Sequence, residues 1–226
     1  MGFAGLVAAA PLAAAEGPAL APSGACFDLR GGFDTPLRTP LEPSGAGDHS
    51  EHGTRADGVD WAATRAVVAL PIRALLDKLL DPRNLKAMEK TKLVIRERHH
   101  PDYLALRRVD VSVRVKTLLV GFTLDWTEEW AWRLLEGTRE APERVLGNYQ
   151  KVEGTGHIRH QCGSVLLQRL DAGRTDVFLY DEIDARRRSA KDTRDMQRGI
   201  LANIRDDRYR SGDSDERVVR VQVSGW

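Results

Sequence analysis

Apolar and polar residues alternate through much of the chain between Val59 and Asp184, and that period of two predicts a β-rich domain. Val59–Leu70 reads as a strand with Trp61, Ala63, Val67 and Ala69 on one parity. The period then changes. Pro71 stands where a first helical residue belongs, and Ile72, Leu75, Leu76, Leu79 and Leu80 follow at amphipathic helical spacing until Asp81-Pro82 stops the run. A short second helix is predicted over Asn84–Met88.

Strands resume at Lys92–Arg98, with His99-His100-Pro101-Asp102 as a turn and Tyr103–Lys116 as the next strand. There Val109, Val111, Val113 and Val115 face one way and Asp110, Ser112, Arg114 and Lys116 the other, as a sheet wet on one side requires. Phe122, Leu124 and Trp126 continue on the opposite parity, which predicts a bulge or turn near Thr117. Thr127-Glu128-Glu129 is expected to close a hairpin between Leu118–Trp126 and Trp130–Leu135. Asp171-Ala172-Gly173-Arg174 separates two further alternating runs, His157–Leu170 and Thr175–Asp184, and marks an antiparallel hairpin. A charged helix over Ser189–Asp207 carries Met196, Ile200 and Ile204 as a stripe, with Leu201 beside them. Ser211–Asp215 reads as a linker, and Arg217–Val223 as a short strand or a tail.

Composition adds boundaries. Between Gly17 and Gly58, 13 of 42 residues are Gly or Pro, against 14 of 168 from Val59 onward. Such a segment buries too little apolar surface to offset its chain entropy, so residues 16–58 are expected to be a flexible leader, 59–210 the domain and 211–226 a tail. Met1–Ala15 is almost wholly small and apolar and ends in an A-x-A pattern, the mark of a signal peptide, although no basic residue precedes Arg30. The expectation is export, to a periplasm or the exterior; without a signal the chain would be cytoplasmic. With 34 basic and 33 acidic residues the net charge is +1, which argues against a nucleic-acid partner. No body segment is apolar for long enough to span a bilayer, so no stable membrane span is expected.

The order of elements resembles the helix-grip fold of the START-like (SRPBCC, polyketide-cyclase and lipid-transport) superfamily. Two stretches carry the resemblance. Val67-Val68-Ala69-Leu70-Pro71, leading through Leu75-Leu76 to Asp81-Pro82-Arg83-Asn84-Leu85, looks like that family's opening, and Val165–Val177 with its D-x-G-x-T turn looks like its last hairpin. The resemblance implies an α+β fold: a curved antiparallel sheet wrapped around a long C-terminal helix, with a short helix pair after the first strand. It also implies an apolar cavity between sheet and helix that holds a hydrophobic small molecule or lipid. It implies no catalytic residue, because the superfamily has none in common.

The candidate cavity residues are Trp126, Trp130, Trp132, Tyr180, Met196, Ile200 and Ile204, with ordinary core packing as the commoner role for such residues. Gly199 weakens its helix and would suit a close approach to the sheet or room for a ligand, or be an incidental weak point. His160 and Cys162 share a strand face that His157 does not, so at most two of the three could ligate one ion and neither a metal nor any other cofactor is expected. His160 and Cys162 as base and nucleophile lack an assignable orienting carboxylate. His49 and His52, spaced HxxH, read as solvated, and Cys26 and Cys162 are either bonded or two separate thiols. Arg186-Arg187-Arg188 could meet anionic headgroups but reads as a solvated helix start. The reading that follows is a binding or carrier protein for a hydrophobic small molecule. The alternatives are a polyketide cyclase or aromatase, with Arg114, Arg159 or Tyr180 orienting the chain, and a protein-interaction module whose cavity has collapsed.

Overall fold

A computed structural model describes residues 26–28, 33–43, 47–80, 91–116, 121–186, 188–206 and 218–222. The strands are β1 (His49–Thr54), β2 (Asp60–Val68), β3 (Thr91–Arg98), β4 (Ala105–Lys116), β5 (Gly121–Gly137), β6 (Pro142–Gly154), β7 (Ile158–Arg169), β8 (Thr175–Ala185) and β9 (Val218–Gln222). Helix α1 (Ile72–Leu80) follows β2, and α2 (Ala190–Asp206) follows β8. The strands form one sheet in the order β1-β2-β8-β7-β6-β5-β4-β3-β9, antiparallel at every pairing except β3 with β9. This is the helix-grip α+β architecture. The expected second short helix, the Asp81–Leu85 turn, the bend near Thr117 and Met1–Ala15 lie outside the described residues. No described helix is long and apolar enough to cross a membrane.

Local chemistry accounts for the helices. The Pro71 carbonyl accepts from Leu75 N at 3.0 Å, and Ile72, Leu75, Leu76 and Leu79 bury one face of α1. Ser189 caps α2 reciprocally with Asp192: Ser189 Oγ and N donate to Asp192 Oδ2 at 2.7 and 2.9 Å, and Asp192 N donates to Ser189 Oγ. The buried face of α2 is Ala190, Thr193, Gln197, Leu201 and Ile204, rotated from the Met196-Ile200-Ile204 stripe that hydrophobicity alone singles out. Gln197 explains the rotation. It accepts from Thr64 Oγ1 at 2.8 Å and donates to Ala62 O at 3.1 Å and Asp181 Oδ2 at 2.7 Å, tying α2 to β2 and β8. Gly199 does not lie against the sheet, for a methyl built there meets nothing within 4 Å.

Two expectations are corrected. Thr127–Glu129 is not a hairpin: β5 runs unbroken for 17 residues, with Asp110 opposite Thr127 and Val109 opposite Glu128 on β4. A register shift against β6 at Thr127/Glu128 absorbs the irregularity instead. The leader is not free over its described residues, because its His49–Thr54 portion is the edge strand β1.

Phe33, Leu37 and Leu41 pack on Ala63, Leu146, Leu166, Phe178 and Tyr180, and Phe27 and Phe33 pack on Tyr103, Leu106 and Ala131. Apart from Tyr103, which precedes β4, these are strand positions whose side chains point away from the main core. The guanidinium of Arg38 lies 3.7 Å over the Trp61 ring, Leu37 N donates to Ser164 Oγ at 2.8 Å, and Cys26 is disulfide-bonded to Cys162. The middle strands β6, β7 and β8 are therefore buried on both faces rather than wet on one.

Candidate functional site: a cavity between sheet and helix

Leu93 and Ile95 of β3, Val109, Val111 and Val113 of β4, Trp126, Trp130 and Trp132 of β5, and Leu179 of β8 all border one cavity, which Leu79 of α1 and Met196 and Ile200 of α2 also line. β3 and β8 stand five spacings apart in the sheet, about 24 Å if it were flat. Only a strongly bent sheet brings both to the same hollow. The cavity volume is about 180 Å³. That exceeds the roughly 150 Å³ of an engineered apolar cavity known to admit benzene, and falls below the 300–1,000 Å³ usual for drug-sized ligands.

Aromatic rings build its wall. Trp130 stacks on Tyr149 with centroids 4.2 Å apart and lies parallel to Trp132 at 6.2 Å. Glycines across the ladder make room for this stack. Trp132 faces Gly147 and Tyr149 faces Gly163, where an added Cβ would come within 2.8 Å of the Trp132 ring and 2.4 Å of the Tyr149 ring.

One region of the wall is polar. Glu128 is buried between two tryptophans and accepts Trp126 Nε1–H at 2.7 Å on Oε1 and Trp130 Nε1–H at 2.8 Å on Oε2. Burial raises its pKa, and the two indole donors offset that only in part. Asp181, held by Gln197, is pushed up to about 6 by burial. The positive charge of Arg188 opposes this shift, and the nearby Glu128 adds to it. Gln161 Oε1 and Arg188 Nε are buried at this lining without a hydrogen-bond partner among the described residues. The hollow is thus an apolar site bordered by two carboxylates and by an acceptor and a donor without partners among the described residues.

Of the residues expected at the cavity, Trp126, Trp130, Trp132, Met196 and Ile200 line it. Tyr180 borders it, but its ring belongs to the opposite face, packed with Leu41 and Phe178. Leu179 and Asp181 face inward, so the residue between them must face outward. Ile204 is core, buried beside Leu201, because it sits two turns and about 12 Å beyond Met196 along the axis. Arg159 is exposed and pairs with Asp184 at 2.7 Å, away from the cavity, while the Arg114 side chain lies outside the described ones. Arg188 borders the cavity and donates to Met196 Sδ at 3.0 Å instead of being a solvated helix start. The disulfide at Cys162 removes the thiol that a His160–Cys162 nucleophile would need.

Glu128, Asp181, Gln161 and Gln197 were missed. Parity held the signal for two of them. Glu128 falls in step with Trp126, Trp130 and Trp132, and Asp181 with Val177 and Leu179, so each was a carboxylate on an apolar strand face.

No protein-family model matches the sequence, and no curated protein matches it significantly. Solved structures similar in fold include human STARD10, at 12% identity and TM-score 0.49 over 74% of this chain and 71% of that one. The lipid transfer and protein localization domain of human StarD13 is similar at 13% identity and TM-score 0.44, covering 70% and 88%. The Zhui aromatase/cyclase of Streptomyces sp. R1128 is similar at 16% identity and TM-score 0.37, covering 69% and 87%. With identities of 12–16% and TM-scores below 0.5 these likenesses carry no argument, and the helix-grip architecture stands on the strand order and helix placement described above.

Proposed function

We propose that the chain binds a small amphiphilic molecule in the cavity between β3–β8 and α2, as a carrier rather than a catalyst. One observation carries this reading: an apolar hollow walled by Trp126, Trp130 and Trp132 has a buried polar side where Gln161 Oε1 and Arg188 Nε lack a partner among the described residues. Buried polar atoms are ordinarily satisfied, so a guest with both a donor and an acceptor suits this wall better than a plain hydrocarbon. Apolar contact would add about 25 cal/mol per Å² buried. The cavity's presence also weighs against an interaction module with a collapsed interior. Export fits the same reading, because the Cys26–Cys162 bond persists in an oxidising compartment.

A cyclase-type enzyme is the second reading, and the raised carboxylates of Glu128 and Asp181 favour it. A buried acid whose pKa is raised, as Asp181's is to about 6, is suited to passing a proton to and from a carbonyl chain. Native mass spectrometry of freshly purified protein tests both. A carrier retains a small molecule that leaves unchanged in mass on long incubation, whereas an enzyme alters a supplied polyketone in a Glu128- or Asp181-dependent way. Trp126→Ala and Trp130→Ala should each weaken an apolar fluorescent probe at least tenfold, about 1.4 kcal/mol. Unchanged affinity in still-folded variants would return the tryptophans to a packing role.

A further inference from the structure

On the face of the sheet away from the cavity, four potential ligands converge from three parts of the chain: Cys26 of the leader, His160 and Cys162 of β7, and Glu182 of β8, with their ligand atoms all within 4.8 Å of one another. We propose that, once the Cys26–Cys162 bond is reduced, these four side chains form a zinc site, so that leader and sheet are joined covalently when oxidised and through the metal when reduced.

The distances suit a tetrahedral ion. His160 Nε2 lies 3.0 Å from Glu182 Oε1, 3.5 Å from Cys162 Sγ and 3.8 Å from Cys26 Sγ, and Cys162 Sγ lies 3.1 Å from Glu182 Oε1. Zn–S bonds of about 2.3 Å and Zn–N or Zn–O bonds of about 2.0 Å place tetrahedral ligands roughly 3.2–3.8 Å apart. The two cysteine Cα atoms, 6.3 Å apart, need only a rotation of their side chains to admit the ion. Two thiolates, an imidazole and a carboxylate are a borderline-soft set that selects Zn²⁺ over Mg²⁺ or Ca²⁺.

The surroundings already orient the carboxylate. Tyr180 Oη donates to Glu182 Oε2 at 2.7 Å and Arg55 Nη1 donates to the same oxygen at 2.9 Å, leaving Oε1 turned toward His160 and the sulfurs. Two thiolates, one carboxylate and one Zn²⁺ leave a net charge of −1, which the Arg55 guanidinium balances. Cys162 and Glu182 are buried and Cys26 and His160 half-buried, so the site is shielded yet reachable from the leader side.

The redox step balances with a thiol reductant. Two equivalents of R–SH reduce the bond to two cysteine thiols and leave R–S–S–R, and zinc binding then releases the two thiol protons to solvent. Among the described residues this cluster brings together what parity within β7 could not, since Cys26 and Glu182 arrive from distant segments.

Full-length protein, reduced with a phosphine and desalted, would be titrated with Zn²⁺ alone against a chromophoric chelator, and with Co²⁺ to record its absorption. The expected result is one tightly held equivalent, a sulfur-to-cobalt charge-transfer band, and no comparable binding to oxidised protein. Cys26→Ser and His160→Gln should each lower affinity more than tenfold. Tyr180→Phe, which only loosens Glu182, should lower it about 10- to 100-fold with the charge-transfer band retained. Equal binding by the oxidised protein, no binding by folded reduced protein, or unaltered affinity in His160→Gln would each overturn the proposal. If reduction unfolds the chain, Zn²⁺ must restore its far-UV signal, and failure to do so overturns it as well.

Discussion

Asp181 and Glu128 are carboxylates in a setting made for hydrocarbon, and their titration should be visible in stability. A carboxyl pushed up to about 6 in the folded state, against 3.8 when free, holds its proton more tightly folded than unfolded. Stability from this group is therefore greatest below pH 4 and declines as pH rises toward 6, by about 3 kcal/mol in total. Glu128 acts in the same direction. Acids whose pKa is lowered, such as Asp48 beside Arg205, act oppositely and contribute stability only above their folded pKa. Urea unfolding of wild type and Asp181→Asn across pH 4–7 separates the two: the variant should gain on wild type steadily as pH rises. A constant difference between the two curves would mean that Asp181 does not titrate in this window.

At the level of elements, α2 shows how far periodicity reaches. Its existence, bounds and amphipathic character were legible from Met196, Ile200, Ile204 and Leu201, but the face against the sheet was set by Gln197, a residue hydrophobicity scores as outward. Gly199 lies on the solvent side with open space where a methyl would go. Gly199→Ala should accordingly stabilise the protein by about 0.5–1 kcal/mol without affecting the cavity, as thermal unfolding would show. Strand β5 teaches the reverse lesson. Thr127-Glu128-Glu129 is a polar interruption that looked like a turn, yet Glu128 is polar because it faces Trp126 and Trp130 inside the cavity wall. A buried charge and a turn residue read alike until the partner strand is known.

Across the whole molecule, the leader changes what the sheet is. Over its described residues it shields the face that alternation in β4 suggested would meet water, and it is held there by the Cys26–Cys162 bond, which closes a loop of 136 residues. Cys26→Ser should lower stability by about 2–5 kcal/mol in denaturant titrations. At low denaturant its binding of a cavity probe should persist, because the cavity lies on the opposite face of the sheet. Loss of binding together with the disulfide would mean that the two faces are coupled.

Element order, the antiparallel hairpins and the helix-grip architecture were readable in the sequence, because period-two and period-3.6 patterns record which way each side chain faces its own layer. The tryptophan wall was readable for the same reason. Contacts between segments distant in sequence were not: the leader on the outer sheet face, Gln197 against Asp181, and Cys26 beside His160 and Glu182. A Gly- and Pro-rich segment carries no period from which a docking surface could be inferred, and a carboxylate's protonation depends on neighbours that only the closed sheet supplies. Local pattern decided the elements, and the burial that makes a polar residue costly or useful arose only when they were assembled.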